Sequence, residues 1–150
     1  MKIRKRFLLT AVGGFLSTIA LFNLASANDD ASKAEGEPEY VVVNGEVDKA
    51  TFNGYRRFHG TCHACHGQDA MGGSFAPSLV ESLKDIDYAT FTKTVLEGRQ
   101  AEGATADSVM PAFANDPNIT KHLDDIYAYL KARSDGVLDP GRPKKLPKPK

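Results

Sequence analysis

Apolar side chains recur along the chain in three stripes of helical period, separated by stretches rich in glycine, proline and polar residues. In the first, residues 49–59, Phe52, Tyr55 and Phe58 follow one another at three-residue steps behind Asp48, a residue suited to capping a helix start. Gly54 lies inside this stripe. A glycine in a helix interior costs about 1 kcal/mol against alanine, so it reads either as a weak helix or as the place where a second helix crosses closely. In the second stripe Asp87 can cap a helix in which Tyr88, Phe91, Thr92 and then Val95 or Leu96 share a face, ended by Gly98. The third starts at Asn118 as cap. It places Ile119, Leu123, Ile126, Tyr127 and Leu130 on one face and Asp124, Asp125, Lys131 and Arg133 on the other, and Gly136 closes it. Residues 67–77, with Gly72, Gly73 and Pro77, and residues 99–117, with Met110 and Pro111, read as loops. Residues 40–43 are apolar and β-branched and precede Asn44 and Gly45, which predicts a short strand or hairpin.

The two ends carry a different pattern. Lys2, Arg4, Lys5 and Arg6 precede an apolar run over residues 7–24 and the small residues Ala25, Ser26 and Ala27. This is the pattern of a secretory signal peptide, residues 1–27, cleaved after Ala27, and it predicts a periplasmic protein. An uncleaved anchor is the alternative, which Gly13, Gly14, Ser17 and Asn23 disfavour. Residues 28–39 are rich in Asp, Glu, Ala and Gly, so residues 28–47 read as a flexible leader with a possible short strand. The expected domain is 48–135. Residues 136–150 form a basic Pro/Lys tail, expected to be extended and without a core of its own.

Over all 150 residues, 19 Lys and Arg balance 19 Asp and Glu. The balance excludes a strongly basic nucleic-acid binder, and nucleic acid is not an expected partner. It also hides a polarity, since residues 28–135 carry 10 cations against 18 anions, whereas the tail carries 5 cations and one anion. The tail cations Arg142, Lys144, Lys145, Lys148 and Lys150 could dock on an acidic partner or anionic membrane, or simply be solvated. With 41% hydrophobic and 25% charged residues the chain is neither disordered throughout nor a multi-pass membrane protein. Two cysteines exclude a scaffold held by several disulfides.

Those two cysteines stand in the segment Cys62-His63-Ala64-Cys65-His66, directly after the first stripe. C-x-x-C-H is the attachment pattern of a c-type haem. Two thiols three positions apart on a helical turn can reach both vinyl groups on one side of a porphyrin and form thioethers. The next residue, His66, then lies beneath the ring as the proximal iron ligand. A thioredoxin-like dithiol would need a β-α-β context, a zinc knuckle would need a second pair of ligands beyond His59 and His122, and a plain disulfide would leave His66 unexplained. For the sixth position on iron the candidate is Met110, in a loop between two helices and 44 residues beyond His66. Its neutral, soft thioether favours Fe(II) and raises the reduction potential. Met71, His59, His63 and His122 are the alternatives. His59 and His63 are expected to face solvent or the haem edge.

Gly54, Phe58, Cys62, Cys65, His66, Pro77, Leu79, Met110 and the segment 126–130 together resemble, in order and spacing type, the class I c-type cytochromes over residues 48–133. The resemblance implies an all-α fold of three to four short helices around one covalent haem c, with the N- and C-terminal helices crossed at Gly54 near Ile126 and Tyr129. It further implies that the Pro77 carbonyl accepts the second ring N–H of His66, and that Leu79, Val95 and Phe113 are apolar wall residues. Residues 41–45, 53–59 and 74–79 are similar to a narrower group, the small periplasmic cytochromes that serve PQQ-dependent methanol or alcohol dehydrogenases.

These readings imply a monomeric one-electron carrier that docks transiently. Its donor would be a quinoprotein methanol or alcohol dehydrogenase, and its acceptor a cytochrome oxidase or another cytochrome. With His66 and Met110 both bound, iron has no position left for a substrate, so no enzymatic activity is expected. The competing classes are a respiratory cytochrome with another donor, a haem enzyme or ligand sensor with an open distal side, and a fixed haem subunit of a larger oxidoreductase.

Overall fold

The computed structural model describes residues 36–100 and 109–147. The expected signal segment with its cleavage point, most of the acidic leader, and Lys148 and Lys150 lie outside them.

Helix α1 (Lys49–Arg57) starts where the pattern places it, with the Asp48 carboxylate accepting from the Ala50 N–H at 3.0 Å. It does not stop near His59. The helical path continues through one π-helical turn (Phe58–Cys62) into α2 (His63–His66), and Gly67, at φ 75°, turns the chain away. A π turn adds a residue without breaking the helix and commonly marks a functional site. After a 3-10 turn (Gln68–Ala70) comes α3 (Leu79–Ser82), a single turn capped by Ser78 and too short to leave a periodic signal. Helix α4 (Tyr88–Glu97) is capped by Asp87, which accepts from the Thr90 N–H at 2.7 Å, and stops at Gly98, as expected.

The last helix differs from its expected start. Asp116, not Asn118, is the first cap: it accepts from the Asn118 N–H at 2.8 Å, with Pro117 at the first helical position. Proline fixes φ for a helix start and needs no N–H partner there, so Asp116-Pro117 is the stronger signal. The resulting α5 (Pro117–Thr120) is one turn. The main helix, α6 (Leu123–Ser134), begins after a break at Lys121 and His122.

Strands β1 (Val42–Val43) and β2 (Glu46–Val47) form the expected hairpin, with Asn44 and Gly45 both at positive φ in its two-residue turn. Strands β3 (Arg99–Gln100) and β4 (Val109–Met110) pair antiparallel, Arg99 opposite Met110. The tail, expected to be extended, packs against the domain. Strand β5 (Lys144–Lys145) pairs parallel with β2, the Leu146 N–H reaches the Val47 carbonyl at 2.8 Å, and Leu138 and Pro143 are buried. Arg142 and Lys145 sit over the Phe52 ring at 5.6 and 5.0 Å. Backbone pairing and cation–π contacts leave no mark in hydrophobic periodicity.

The core is built on the crossing of α1 and α6. A β-carbon at Gly54 would lie 1.7 Å from the Asp125 carbonyl oxygen, so only glycine lets the two backbones approach this closely. Tyr129 packs edge-on against Tyr55 at 5.5 Å and beside Phe58 at 5.7 Å. Phe91, Val95, Ile119, Leu123, Ile126, Tyr127 and Leu130 complete the interior. Helix α6 is covered on more sides than a one-face pattern implies. Arg133, expected on its polar face, is buried and donates to the Leu138 carbonyl at 2.5 Å and the Asp69 carbonyl at 3.4 Å. The residues before β1 cross it too, Tyr127 donating to Glu37 at 2.6 Å and Tyr40 to Asp135 at 2.7 Å.

Candidate functional site

Continuation of α1 into α2 puts Cys62, Cys65 and His66 on consecutive turns of one helical path. Both thiols are free; Cys62 is half-buried and Cys65 exposed. Burial, and then the neighbouring Cys65, push the Cys62 thiol up to about 11. A redox dithiol needs the opposite, a thiol held low enough to be thiolate near neutrality, so the thioredoxin-like reading has no support here. Among the described residues no three His, Cys, Asp or Glu side chains gather as a metal-binding group, which leaves a zinc knuckle without its ligands.

His66 is buried, and its Nδ1 lies 3.0 Å from the Pro77 carbonyl oxygen. A carbonyl only accepts, so Nδ1 carries the proton and Nε2 keeps the lone pair that a metal needs. The loop that brings Pro77 there is closed tightly. The Gly72 N–H donates to the His66 carbonyl at 2.7 Å, and a β-carbon at Gly72 would fall 2.6 Å from the Ser78 nitrogen. Ser78 adds a bond from its hydroxyl to the Ala70 carbonyl at 3.3 Å besides capping α3. Sequence reasoning gave Ser78 no role, although a serine three residues before Glu81 is a capping signal. Leu79, the first residue of α3, is half-buried.

Met110 is half-buried on β4. Gly98 sets its place: a β-carbon there would lie 2.6 Å from the Met110 carbonyl oxygen. Beyond it, the Phe113 N–H donates to the Val95 carbonyl at 3.0 Å and the Ala114 N–H to that of Leu96 at 3.2 Å, fastening the segment to the end of α4. Of the expected wall residues, Val95 is in the core, while Leu79 and Phe113 pack against it half-buried.

The other candidates for the distal position are engaged elsewhere. The Met71 sulfur accepts from Arg133 Nη2 at 3.6 Å, and His122 Nδ1 lies 3.1 Å from Asn53 Nδ2 and 3.4 Å from Asp125 Oδ2. Of the two expected surroundings for His59, solvent or the haem edge, solvent is excluded: the ring is largely buried among Tyr55, Phe58 and Tyr129, with Nδ1 2.9 Å from the Tyr55 carbonyl, and His63 stacks on it at 5.9 Å.

The donor set fits a c-type haem. Two thiols outside any disulfide can form thioethers, one buried imidazole turns its Nδ1 to a carbonyl and so leaves Nε2 as the ring atom for a metal, and Leu79, Val80, Leu96, Met110 and Phe113 are apolar yet only partly covered by protein.

Comparison with known proteins agrees. Residues 50–130 match the family model described as "Cytochrome C oxidase, cbb3-type, subunit III". The chain is 45% identical to cytochrome c-553I of Paracoccus denitrificans over 113 residues, 75% of this chain, and spans only half the length of that relative. It is 36% identical to cytochrome c-555 of Methylococcus capsulatus over 96 residues, covering 63% of this chain and 72% of the relative. The crystal structure of the c-type cytochrome XoxG from Methylobacterium extorquens AM1 superposes with a TM-score of 0.70 at 39% identity, over 79% of this chain and 73% of that one. A helical path bearing C-x-x-C-H, a buried histidine oriented by a proline carbonyl and close kinship to three cytochromes lead to one family: this chain belongs to the small class I c-type cytochromes and carries covalently bound haem c.

Proposed function

We propose that the protein is a periplasmic one-electron carrier whose haem is attached through Cys62 and Cys65, with His66 and Met110 as the two axial ligands of iron. The observation that carries this reading is the His66–Pro77 contact at 3.0 Å beside two thiols outside any disulfide, since it engages Nδ1 and leaves Nε2 for iron. Bound by these residues, the haem iron supplies one-electron exchange between Fe(III) and Fe(II). The chain's own residues do the rest. Cys62 and Cys65 prevent loss of the cofactor, and Pro77 fixes the ring orientation and basicity of His66. Gly98 and the strand pair β3–β4 place Met110, while the Met71 sulfur is held by Arg133.

The donor we infer is a quinoprotein methanol or alcohol dehydrogenase, and the acceptor a terminal oxidase or another cytochrome. Residues 41–45, 53–59 and 74–79 support this through their resemblance to the cytochromes of such dehydrogenases. Transient docking of a monomer suits the exposed apolar side chains of Met71 and Phe75, which is 76% exposed, on the loop after the motif, and of Val109 beside Met110 on β4. The test is stopped-flow mixing of the oxidised holoprotein with a substrate-reduced quinoprotein dehydrogenase of the same organism. Rapid haem reduction at physiological salt is expected, and its absence removes the donor while leaving the carrier.

A further inference from the structure

A second polar cluster is buried where the end of α1, the 3-10 turn and α6 meet. Its centre is His59 with Asp69, whose side chains are only 14% and 11% exposed. His59 Nδ1 lies 2.9 Å from the Tyr55 carbonyl, which can only accept, so Nδ1 carries a proton and donates it. In the neutral ring Nε2 is then a bare lone pair. That atom faces Asp69 Oδ1 at 3.5 Å, and neither has a hydrogen-bond partner among the described residues. Two acceptors facing each other out of water are unfavourable, and one proton between them turns the contact into a charge-assisted hydrogen bond.

The surroundings hold the pair in this arrangement. Asp69 has a left-handed backbone, φ 54°, and its carbonyl receives Arg133 Nη2 at 3.4 Å. The titratable and charged groups facing the pair are Tyr55 from α1, His63 from α2, and Tyr129 and Arg133 from α6. Burial and the Asp69 charge push the Tyr129 hydroxyl up, so it stays a neutral phenol, and Arg133 is a permanent cation. The acid–base side chain that faces Asp69 is His59, with His63 stacked on it.

We propose that His59 and Asp69 form a proton-binding site coupled to the oxidation state of the haem. This rests on the carrier reading. When the protein takes an electron from its one-electron donor, a solvent hydronium gives up a proton, its O–H bond breaking as the Nε2–H bond of His59 forms, and the new N–H donates a hydrogen bond to Asp69 Oδ1. The coupling is electrostatic. His59 lies one helical turn before Cys62 and stacks on His63, between the two attachment cysteines, so an electron gained at the cofactor favours a positive charge here in a poorly screened interior.

The experiment is potentiometric titration of the holoprotein between about pH 5 and 8, where histidine changes charge, on wild type, His59→Gln, Asp69→Asn and His63→Gln. The wild-type potential is expected to fall as pH rises, by about 59 mV in total for each tenfold gain in proton affinity on reduction. His59→Gln and Asp69→Asn flatten the dependence and His63→Gln keeps it. Nitrogen-15 NMR of the His59 ring in the wild-type holoprotein provides a readout that needs no variant to fold, its titration midpoint lying higher in the reduced state. A one-electron wave with no pH slope, a slope that survives in His59→Gln or vanishes in His63→Gln, or equal NMR midpoints in both states each overturn the proton site alone. Absence of any reversible one-electron wave overturns the carrier reading and this site with it.

Discussion

Gly54 and Asp125 meet backbone to backbone, so closely that a β-carbon on Gly54 would lie 1.7 Å from the Asp125 carbonyl oxygen. The first and last helices are locked at this point. Gly54→Ala gains about 1 kcal/mol of helix propensity but forces α1 and α6 apart, and overpacking of that kind costs about 3 kcal/mol. The clash dominates. Guanidinium unfolding followed by haem absorbance and far-UV circular dichroism is expected to show a net loss of about 2 kcal/mol, and an unchanged midpoint contradicts the crossing.

His66 depends on a carbonyl that the glycines of its loop bring within reach. Gly72 has φ 85°, and a β-carbon there would lie 2.6 Å from the Ser78 nitrogen, next to Pro77. Gly72→Ala is therefore expected to displace the Pro77 carbonyl from His66 Nδ1. A ligand imidazole that loses this acceptor becomes less basic and stabilises Fe(III) less, so the reduction potential rises. Redox titration together with the NMR signal of the His66 ring N–H checks both halves. A retained N–H bond with a shifted potential sinks the explanation.

Two tyrosines fasten the residues before β1 to α6 and its end, Tyr40 to Asp135 and Tyr127 to Glu37. Burial, and then the carboxylate each one meets, push Tyr40 up to about 12 and Tyr127 further in the same direction. Unfolded tyrosine ionises near about pH 10. The contribution of Tyr40 is therefore complete below about pH 10 and is lost as pH rises toward about 12. Unfolding measured across that interval is expected to show wild-type stability falling more steeply than that of Tyr40→Phe or Tyr127→Phe.

The basic tail has a structural role that its charge pattern does not reveal. Truncation after Asp139 removes the β5–β2 pairing, the Leu146–Val47 hydrogen bond and the Arg142 and Lys145 contacts with Phe52. At roughly 0.5–1 kcal/mol per exposed cation–π contact and about 1 kcal/mol for the hydrogen bond, the loss is about 2 kcal/mol. Thermal unfolding of full-length and truncated holoprotein tests this, and equal stability means that the tail only rests on the surface.

The parts of this molecule visible in its sequence are those that repeat or that chemistry requires. The aromatic steps of α1, the Asp48 and Asp87 caps, the stop at Gly98 and the Asn44-Gly45 hairpin follow local rules and lie where those rules put them. Gly54 was readable as a crossing because a glycine within an amphipathic stripe has few other uses. Cys62, Cys65 and His66 stand out in the sequence for a similar reason, since C-x-x-C-H is the spacing that haem attachment demands. What was hidden depends on contacts distant in sequence or on single turns: α3 and its Ser78 cap, the break between α5 and α6, the return of the tail to β2, and the burial of Arg133 and His59. Arg133 read as a polar-face residue because periodicity records which face a residue lies on, and the packing of residues 69–71 and 138 over that face is tertiary.

The central claim is that His66 and Met110 together hold the iron of a one-electron carrier. Its most direct measurement is an optical redox titration of the holoprotein alongside Met110→Ala and Met71→Ala, read at the weak far-red band that a methionine-ligated ferric haem displays. Wild type and Met71→Ala are predicted to show the band and a single reversible one-electron transition. Met110→Ala should lose the band, bind carbon monoxide when reduced and titrate at a lower potential. A Met110→Ala protein that keeps the band, or a wild type without it that binds carbon monoxide, contradicts the account.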